Sequence, residues 1–217
     1  KLVFTGKYKM IKLHNKDCMA AMAGFSDNQF DLAIVDPPYG INFAKTHTGK
    51  GWIVRDNKEW DKEIPKPKYY KELFRVSKNQ IIWGANYMVH NIPPSMGWIF
   101  WDKGQRNFSL ADGELAFTSF NRALRVFDMP RGTQKAQDDK TGGKIHPTQK
   151  PVKLYEWLLM NYAKEGDKIL DTHLGSGSIA IACHNLGYDL TGYEIDKEYY
   201  EAAIKRLKQH QSQLKMF

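Results

Sequence analysis

The sequence predicts an α/β protein in which a mostly parallel sheet lies between two layers of helices. Short apolar segments alternate along the chain with segments that have the period of a helix. The segment that ends at Asp36 is apolar almost throughout, which is typical of a strand covered on both faces. Near residue 175 a strand passes through a glycine loop directly into a helix. Together these patterns favour a three-layer fold built from βαβ units.

The first βαβ unit is expected near the N-terminus. Its parts are a strand in MIKLHN, a helix of small residues in CMAAMAGF and a strand in DLAIVD. Pro37 and Pro38 end the second of these strands. Three further buried strands are predicted in QIIWGANYM, MGWIFWDK and GELAFTSF.

The C-terminal part of the chain has the clearest pattern. Pro151 suits the first turn of a helix. The apolar residues of this helix fall on one face, namely Tyr155, Leu158, Leu159 and Tyr162. We expect it to be followed by a strand in KILD, a helix in SIAIACHNL that ends at Gly187, a strand in LTGYEI and an amphipathic helix from about Glu198.

Two stretches interrupt this alternation, residues 41–66 and residues 121–145. Both combine glycine with many basic side chains, and both are predicted to be loops. Loops of this length inside a compact domain usually serve a function or are disordered. We expect them to face the substrate, and a plain solvated insertion is the alternative.

Length and composition restrict the class of protein. The 217 residues fit one domain that spans residues 1–217, and 42% hydrophobic with 26% charged residues exclude a disordered or fibrous chain. Two cysteines are too few for a disulfide scaffold and fit a reducing compartment. No apolar run is long enough to span a membrane, so we expect a cytoplasmic protein without a membrane partner. The net charge of +8 favours a polyanionic partner, with solubility alone as the alternative.

Asp36, Pro37, Pro38 and Tyr39 form the first candidate site. They follow a buried strand and so lie at the carboxyl end of the sheet, where α/β enzymes bind ligands. Because the prolines fix the backbone and lack N–H groups, the Pro37 carbonyl and the Asp36 carboxylate become two adjacent acceptors. Such a pair suits an exocyclic amino group, whose ring can stack on Tyr39. A strand end closed by a proline turn, with Asp36 as a cap, is the alternative.

The second candidate site runs from Asp171 to Gly177. Gly175, Ser176 and Gly177 open a helix directly after a strand, which aims backbone N–H groups at an anionic part of a ligand. Glu194 ends the next strand, where a carboxylate typically accepts hydrogen bonds from ribose hydroxyls. The same segment also fits a loose dinucleotide pattern, so NAD is an alternative ligand.

The tetrapeptide at Asp36 resembles the D-P-P-Y signature of the amino-group DNA methyltransferases. HPTQKP at residues 146–151 is similar to the family segment before the cofactor strand, and residues 171–177 take the place of the family's D-P-F-x-G-S-G loop. Thr172 and His173 depart from the Pro-Phe of that loop. The resemblance covers most of the chain and implies the subgroup in which the catalytic motif precedes the cofactor motif. It therefore implies a circularly permuted, Rossmann-like methyltransferase fold that depends on S-adenosylmethionine.

The resemblance favours S-adenosylmethionine over NAD because the permuted order accounts for a catalytic motif upstream of the nucleotide motif. The residues expected to bind this cofactor are Asp17, Asp171, His173, Gly175, Ser176, Gly177 and Glu194. Asp17 follows the first strand, which the permuted order places beside the Glu194 strand. Capping of the next helix is an equal alternative for Asp17. No spacing of histidines and cysteines fits a metal site, and methyl transfer from a sulfonium needs none.

The expected reaction is direct methyl transfer to an exocyclic amino group of double-stranded DNA, with adenine N6 as the favoured target. The expected catalytic residues are Asp36, Pro37, Pro38 and Tyr39, and the target base is flipped out of the duplex to reach them. Phe100 or Trp101 is a candidate for the second wall of the base pocket, and a core position is the alternative. The expected DNA contacts are Lys45, Lys50 and Lys58 for phosphates and Arg122, Arg125 and Arg131 for bases.

Four other functions stay open at this point. They are a cytosine-N4 DNA methyltransferase, a methyltransferase of RNA or of a protein amide, an NAD-dependent enzyme, and a non-catalytic DNA-binding module with the same fold. Asp36 resembles the adenine enzymes, since the cytosine enzymes more often carry serine there. The intact tetrapeptide argues against a non-catalytic module.

Overall fold

The computed structural model describes residues 2–5, 10–42, 60–107, 110–140 and 143–213. Within these ranges the strands are β1 Leu2–Thr5, β2 Met10–Asn15, β3 Phe30–Val35, β4 Ser77–Trp83, β5 Trp98–Asp102, β6 Gly113–Thr118, β7 Arg125–Asp128, β8 Lys168–Asp171 and β9 Asp189–Glu194. The helices are α1 Cys18–Met22, α2 Pro67–Val76, α3 Arg131–Lys140, α4 Val152–Tyr162, α5 Ser178–Leu186 and α6 Lys197–Gln213. Two short 3-10 turns, Ala85–Tyr87 and Val89–Asn91, follow β4.

The described strands form one sheet in the order β1-β2-β9-β8-β3-β4-β6-β5-β7. The strands from β2 to β4 in this order all run parallel, and β6 is antiparallel to both of its neighbours. The pairing of β2 with β9 sets Asn15 opposite Glu194. The permuted order thus brings the strand before Asp17 next to the Glu194 strand, as predicted. The prediction of a mostly parallel α/β sheet is confirmed.

Two hydrophobic cores lie on opposite faces of the sheet. Leu32 and Ile34 of β3 belong to the core that α4, α5 and α6 cover, whereas Ala33 and Val35 belong to the core under α1 and α2. All four side chains are buried. Full burial of Leu32, Ile34 and Val35 contributes roughly 1.5–3 kcal/mol for each side chain relative to exposure, and Ala33 contributes less. Because both faces are covered, β3 is a continuous apolar run that carries Asp36 to a fixed place at the end of the sheet.

The predicted helix after Pro151 is confirmed as α4, and its predicted apolar residues are all buried: Tyr155, Leu158, Leu159 and Tyr162. The helix in SIAIACHNL is confirmed as α5, with Gly187 as its C-cap. The last helix begins at Lys197, one residue before the predicted start.

Residues 121–145 are not the loop that the sequence predicted. β7 and α3 occupy most of this stretch. The strand β7 pairs in parallel with β5, from Ile99 opposite Arg125 to Asp102 opposite Asp128. This pairing supplies backbone hydrogen bonds that do not depend on an apolar pattern, so a largely exposed edge strand escapes a prediction based on periodicity.

Three other elements also differ from the prediction. The strand predicted in QIIWGANYM ends at Trp83, because Gly84 adopts a left-handed conformation with φ of 66° and the chain turns there. The strand β1 and the helix α2 were not predicted. In the segment 41–66, the described residues 41–42 and 60–66 lie in neither a helix nor a strand.

None of the helices in the described ranges combines the length and the apolar character that crossing a membrane requires.

Candidate active site

A cavity of about 1050 Å³ opens at the carboxyl ends of the parallel strands. Its walls include both candidate sites, the segment from Asp36 to Tyr39 and the segment from Thr172 to Ser176. Asp17 and Glu194 line it as well. Its volume is at the upper end of the range for cavities that bury a drug-sized ligand, roughly 300–1,000 Å³. The two motifs, far apart in sequence, therefore share one binding space.

The turn after β3 is held by a buried carboxylate. Asp61 is only 4% exposed, and its Oδ1 accepts hydrogen bonds from the backbone N–H groups of Tyr39 at 2.8 Å and Gly40 at 3.0 Å. The backbone carbonyl of Asp61 accepts a further bond from the N–H of Asn42 at 2.9 Å. Asp61 thus fixes the backbone just after the two prolines and stabilises the orientation of the segment from Asp36 to Tyr39.

Replacing Asp61 by alanine is expected to lower the free energy of unfolding by about 1–3 kcal/mol, because two backbone N–H groups lose a buried acceptor. Asp61→Asn keeps a side-chain oxygen in the same place and should cost less. Urea unfolding of both variants beside the wild type measures the difference. Equal losses in the two variants, or no loss in Asp61→Ala, would contradict the role of this carboxylate.

Five side chains form a compact group that we call the charged cluster: Asp36, Tyr39, Lys103, Glu114 and Lys150. Lys150 Nζ lies 2.5 Å from Asp36 Oδ2, 3.1 Å from Glu114 Oε2 and 3.0 Å from the Tyr39 hydroxyl. The Tyr39 hydroxyl donates to Asp36 Oδ1 at 2.7 Å. Lys103 Nζ pairs with Glu114 Oε1. Asp36 is therefore tied to a buried network of two cations and a second carboxylate.

Burial and charge act in opposite directions on the pKa values of this cluster. Burial raises the pKa of Asp36 above its ordinary value, and the nearby Lys150 ammonium opposes that rise. Burial also acts to raise the pKa of Glu114, but Lys150 and Lys103 overcome it and lower this pKa to about 2. Burial alone would lower the pKa of Lys150, yet the carboxylates of Asp36 and Glu114 raise it. The ion pairs thus favour the charged forms of Lys150 and of Glu114.

The segment that carries Lys150 is itself held in place. Gln149 donates from Nε2 to Asp138 Oδ1 of α3 at 2.8 Å and to the carbonyl of Gly143 at 3.1 Å. Gln149 Oε1 in turn accepts from the N–H of Ile145 at 3.0 Å. His146, in the same segment, packs against Trp60 and Tyr199 with ring centroids 5.2 and 4.3 Å away. These contacts direct Lys150, only 3% exposed, toward Asp36.

The Tyr39 ring is less open than a base platform was expected to be. It stacks on Tyr87 with centroids 5.3 Å apart and an interplanar angle of 17°. On Gly84, a Cβ would come within 2.1 Å of the Tyr39 ring, so only glycine allows this approach. Tyr87 is 46% exposed and lines the cavity. Tyr87 therefore extends the aromatic surface of Tyr39 toward the open space.

The glycine loop lies across the cavity from the charged cluster. Gly175 and Gly177 have φ of 50° and 71°, and Gly177 is the N-cap of α5. The N–H of Gly175 donates to Glu194 Oε2 at 2.8 Å, and Glu194 Oε1 accepts from the N–H of Asp196 at 2.9 Å. Glu194 therefore holds the loop in addition to lining the cavity.

A buried guanidinium of helix α6 also holds the glycine loop in place. Arg206 of α6 is 2% exposed, and its Nη1 donates to the carbonyl of Ser176 at 3.0 Å and to Ser178 Oγ at 2.9 Å. Ser176 Oγ and Ser178 Oγ are hydrogen-bonded to each other at 3.1 Å. The hydroxyl and the carbonyl of Ser176 are thus both engaged within the protein.

Thr172 and His173, which depart from the family pattern, form a hydrogen-bonded chain with Tyr69. The Tyr69 hydroxyl and Thr172 Oγ1 are 2.7 Å apart, and Thr172 Oγ1 lies 2.9 Å from His173 Nδ1. The N–H of His173 donates to Asp171 Oδ1 at 3.0 Å. Burial lowers the pKa of His173 to about 4 and raises the pKa of Asp171 to about 8. A neutral imidazole that lines the cavity thus replaces the apolar ring expected from the family.

Asp17 caps α1, since its Oδ1 accepts from the N–H of Ala20 at 2.8 Å. It also lines the cavity. The capping interpretation is therefore confirmed, and contact with a ligand through the same carboxylate stays a prediction. Trp101 is 1% exposed, and its indole N–H donates to the carbonyl of Met129 at 3.3 Å, as in a core residue. Phe100 is partly exposed and lines the cavity beside Gly113.

The predicted DNA-contacting residues are dispersed. Arg131 lines the cavity, together with Lys135 and Lys144. Arg125 begins β7 and so lies at the end of the strands opposite the cavity. Arg122 donates to the carbonyl of Asn161 at 2.6 Å. The structure does not bring these two arginines to Asp36. Lys45, Lys50 and Lys58 lie outside the described residues.

The residues that sequence reasoning missed are mainly charged groups buried by distant contacts: Asp61, Lys103, Glu114, Lys150 and Arg206. Two of them carried a signal. Lys150 is the lysine of HPTQKP, and Glu114 is the one charged residue in the run GELAFTSF. Among the described residues, no cluster of three or more histidines, cysteines and acids could hold a metal ion.

Comparison with known proteins identifies the family. The family model described as "DNA methylase", N6_N4_Mtase, matches residues 43–205. The type II methyltransferase M2.DpnII of Streptococcus pneumoniae is 26% identical over 251 residues, with 94% of this chain and 92% of the relative covered. The type II methyltransferase M.HpaI of Haemophilus parainfluenzae is 28% identical over 233 residues, with 88% of this chain and 72% of the relative covered.

Solved structures agree in fold. The complex of M1.HpyAVI with SAM matches with a TM-score of 0.59 at 20% identity and covers 91% of this chain and 100% of that one. The cytosine-N4-specific PvuII DNA methyltransferase also matches with a TM-score of 0.59, at 12% identity, and covers 93% of this chain and 90% of that one. The fold is therefore the Rossmann-like fold of these methyltransferases. Since the family model covers most of the chain, this protein belongs to the N6_N4_Mtase family of DNA methylases.

Proposed function

We propose that the chain transfers a methyl group from S-adenosylmethionine to the N6 amino group of adenine in double-stranded DNA. The observation that carries this proposal is that Asp36 and the glycine loop line one cavity, so that an amino group held by Asp36 can face a methyl donor held by the loop. Family membership supports a methyl donor over NAD as the nucleotide ligand. S-adenosylmethionine is the methyl donor, and we place the reaction in the bacterial cytoplasm or in a phage-infected cell.

The cofactor end of the cavity fits a nucleoside that carries an amino acid. Glu194 lines the cavity and supplies a carboxylate for ribose hydroxyls. Asp171 is 2% exposed and directly precedes the lining residue Thr172, and we propose that its carboxylate pairs with the ammonium of the ligand. The left-handed glycines keep side chains away from the loop, so that a ligand can approach the backbone. We propose that Asp17 and His173 bind the adenine end, with Gly175, Ser176 and Gly177 along the amino acid part.

The bound sulfonium supplies an electrophilic methyl group with a neutral leaving group. Asp36 and the Pro37 carbonyl accept the two N–H bonds of the target amine and draw its lone pair away from the ring. The nitrogen gives this pair to the methyl carbon, while the electron pair of the broken carbon–sulfur bond stays on sulfur. The positive charge that builds on nitrogen is stabilised by the Asp36 carboxylate until one proton leaves to solvent.

Base flipping brings the adenine into the cavity at a cost of a few kcal/mol. Stacking offsets part of this cost, because each contact between a base and an aromatic ring contributes about 1–3 kcal/mol. Tyr39 is already stacked on Tyr87, so we propose that the base either extends this stack or takes the place of Tyr87. Phe100 is the candidate for the opposite wall.

We propose that Arg131, with Lys135 and Lys144 beside it, contacts DNA at the rim of the cavity. Lys45, Lys50 and Lys58 are proposed phosphate contacts. Arg122 and Arg125 are weaker candidates, because they lie away from the cavity mouth. The net charge of +8 supports binding to a polyanion.

The identity of the methylated nucleoside shows which base is the target. Unmethylated DNA treated with the protein and S-adenosylmethionine, then digested to nucleosides, is expected to contain N6-methyladenine by mass spectrometry. The control omits the protein. N4-methylcytosine as the only product would overturn the adenine assignment and leave the amino-group reaction in place. Label transferred to RNA or protein but not to DNA would overturn both.

A further inference from the structure

Lys150 contacts three side chains at the reacting end of the cavity. Its side chain is 2% exposed, and its ammonium has an acceptor for each of its three N–H bonds. These acceptors are Asp36 Oδ2 at 2.5 Å, the Tyr39 hydroxyl at 3.0 Å and Glu114 Oε2 at 3.1 Å. A buried cation with this geometry fixes all three groups relative to one another.

The charges in this cluster balance only if Lys150 is present. Asp36 and Glu114 supply two negative charges, and Lys103 and Lys150 supply two positive charges. Lys103 pairs with Glu114, and among the described residues Lys150 is the lysine in contact with Asp36. Without Lys150, two carboxylates would share one cation in a buried site, and the cheapest relief is a proton on one of them.

We propose that Lys150 is a positioning residue for methyl transfer, which fixes the Asp36 carboxylate and keeps it anionic so that it accepts the target N–H and stabilises the charge on nitrogen. Lys150 can act in this way only if Asp36 binds the target amine, as proposed above. A protonated Asp36 would carry its own O–H donor and no charge. It would therefore be a weaker acceptor for the N–H of the target amine.

The groups around Asp36 set the direction of the pH dependence. Burial raises the pKa of Asp36, Glu114 adds to this rise, and Lys150 and the Tyr39 hydroxyl oppose it. Tyr155 of α4 and Asp171 of β8 also interact electrostatically with Asp36. The active form is the ionised one, so activity is present above the pKa of Asp36 and lost as the pH falls through it. Removing the Lys150 cation raises the pKa of Asp36. The acidic limb of the pH–rate profile, where activity falls with falling pH, then moves to higher pH.

The test compares Lys150→Met with Lys150→Arg and Lys103→Met. Initial rates of label transfer from methyl-tritiated S-adenosylmethionine to long unmethylated DNA are measured from acidic to alkaline pH. In Lys150→Met we expect the rate at neutral pH to fall about 100-fold or more, and the acidic limb to move up by ~1–3 pH units. Lys150→Arg should restore the wild-type limb and much of the rate. Lys103→Met leaves Lys150 in contact with Asp36, so it should move the limb by less than Lys150→Met does.

A second measurement follows the protonation of Asp36 without any reaction. The carboxyl ¹³C signal of Asp36, assigned by its loss in Asp36→Asn, should titrate at higher pH in Lys150→Met than in the wild type. If the wild type does not methylate DNA, the proposed function fails while this titration still tests Lys150. A Lys150→Met variant that loses rate by the same factor at every pH, or whose Asp36 signal titrates as in the wild type, overturns the role proposed for Lys150.

Discussion

Asp36→Asn is expected to lower the rate of methyl transfer by ~10²–10³-fold, because it removes a negative charge aimed at the nitrogen that becomes positive. The amide keeps an oxygen acceptor, so binding of the target amine should change less than the rate. Asparagine would also leave the Lys150 ammonium without its charged partner at 2.5 Å. Part of the loss should therefore come from an unbalanced buried cation.

A double variant separates these two contributions. If Lys150 is unbalanced in Asp36→Asn, then Asp36→Asn combined with Lys150→Met should cost less than the sum of the two single losses. Rates at saturating DNA and S-adenosylmethionine measure the chemical step, and titration calorimetry of the cofactor should give nearly the wild-type affinity in Asp36→Asn. Full activity of Asp36→Asn would refute the electrostatic role of Asp36. Strict additivity would refute its coupling to Lys150.

The parts of the fold that the sequence predicted are those with a local signal. The strands β3 and β8 and the helices α4 and α5 are apolar patterns with clear ends, and each was predicted in place. The edge strand β7 and the polar helix α3 carry little apolar pattern, because most of those of their side chains that the structure describes are exposed. Their conformation depends on pairing with β5 and on hydrogen bonds such as that from Gln134 to the Gln149 carbonyl, at 2.9 Å.

The residues of the candidate site likewise fall into those that the sequence predicted and those that it did not. Backbone requirements leave marks in sequence, which is why Pro37, Pro38, Gly175 and Gly177 could be found as motifs. Asp61 and Lys150 act through contacts with residues that are 19 to 114 positions away, and a lysine or aspartate in a polar segment has no local pattern that predicts burial. The Tyr39–Tyr87 stack likewise arises from the meeting of β3 and β4 at the end of the sheet.

Glu194→Ala is expected to weaken S-adenosylmethionine binding by about 10-fold to 100-fold. A hydrogen bond to a charged group contributes about 1.5–3 kcal/mol, and the carboxylate is the proposed acceptor for the ribose hydroxyls. The change also frees the N–H of Gly175, which Glu194 Oε2 accepts at 2.8 Å, so the loop itself should loosen. Titration calorimetry measures the loss, and Asp36→Ala should bind the cofactor nearly as the wild type does.

A ligand change separates the ribose contact from the loop contact. S-Adenosylhomocysteine and its 2′,3′-dideoxy analogue differ only in the hydroxyls that Glu194 is proposed to accept. Removing them should weaken binding to the wild type but have little effect in Glu194→Ala, whereas Glu194→Gln, which keeps one oxygen acceptor, should lie between the two. If the hydroxyls matter equally in the wild type and in Glu194→Ala, the carboxylate acts on the ligand only by holding Gly175. Equal weakening of cofactor binding by Asp36→Ala and Glu194→Ala would contradict the division of the cavity into a catalytic end and a cofactor end.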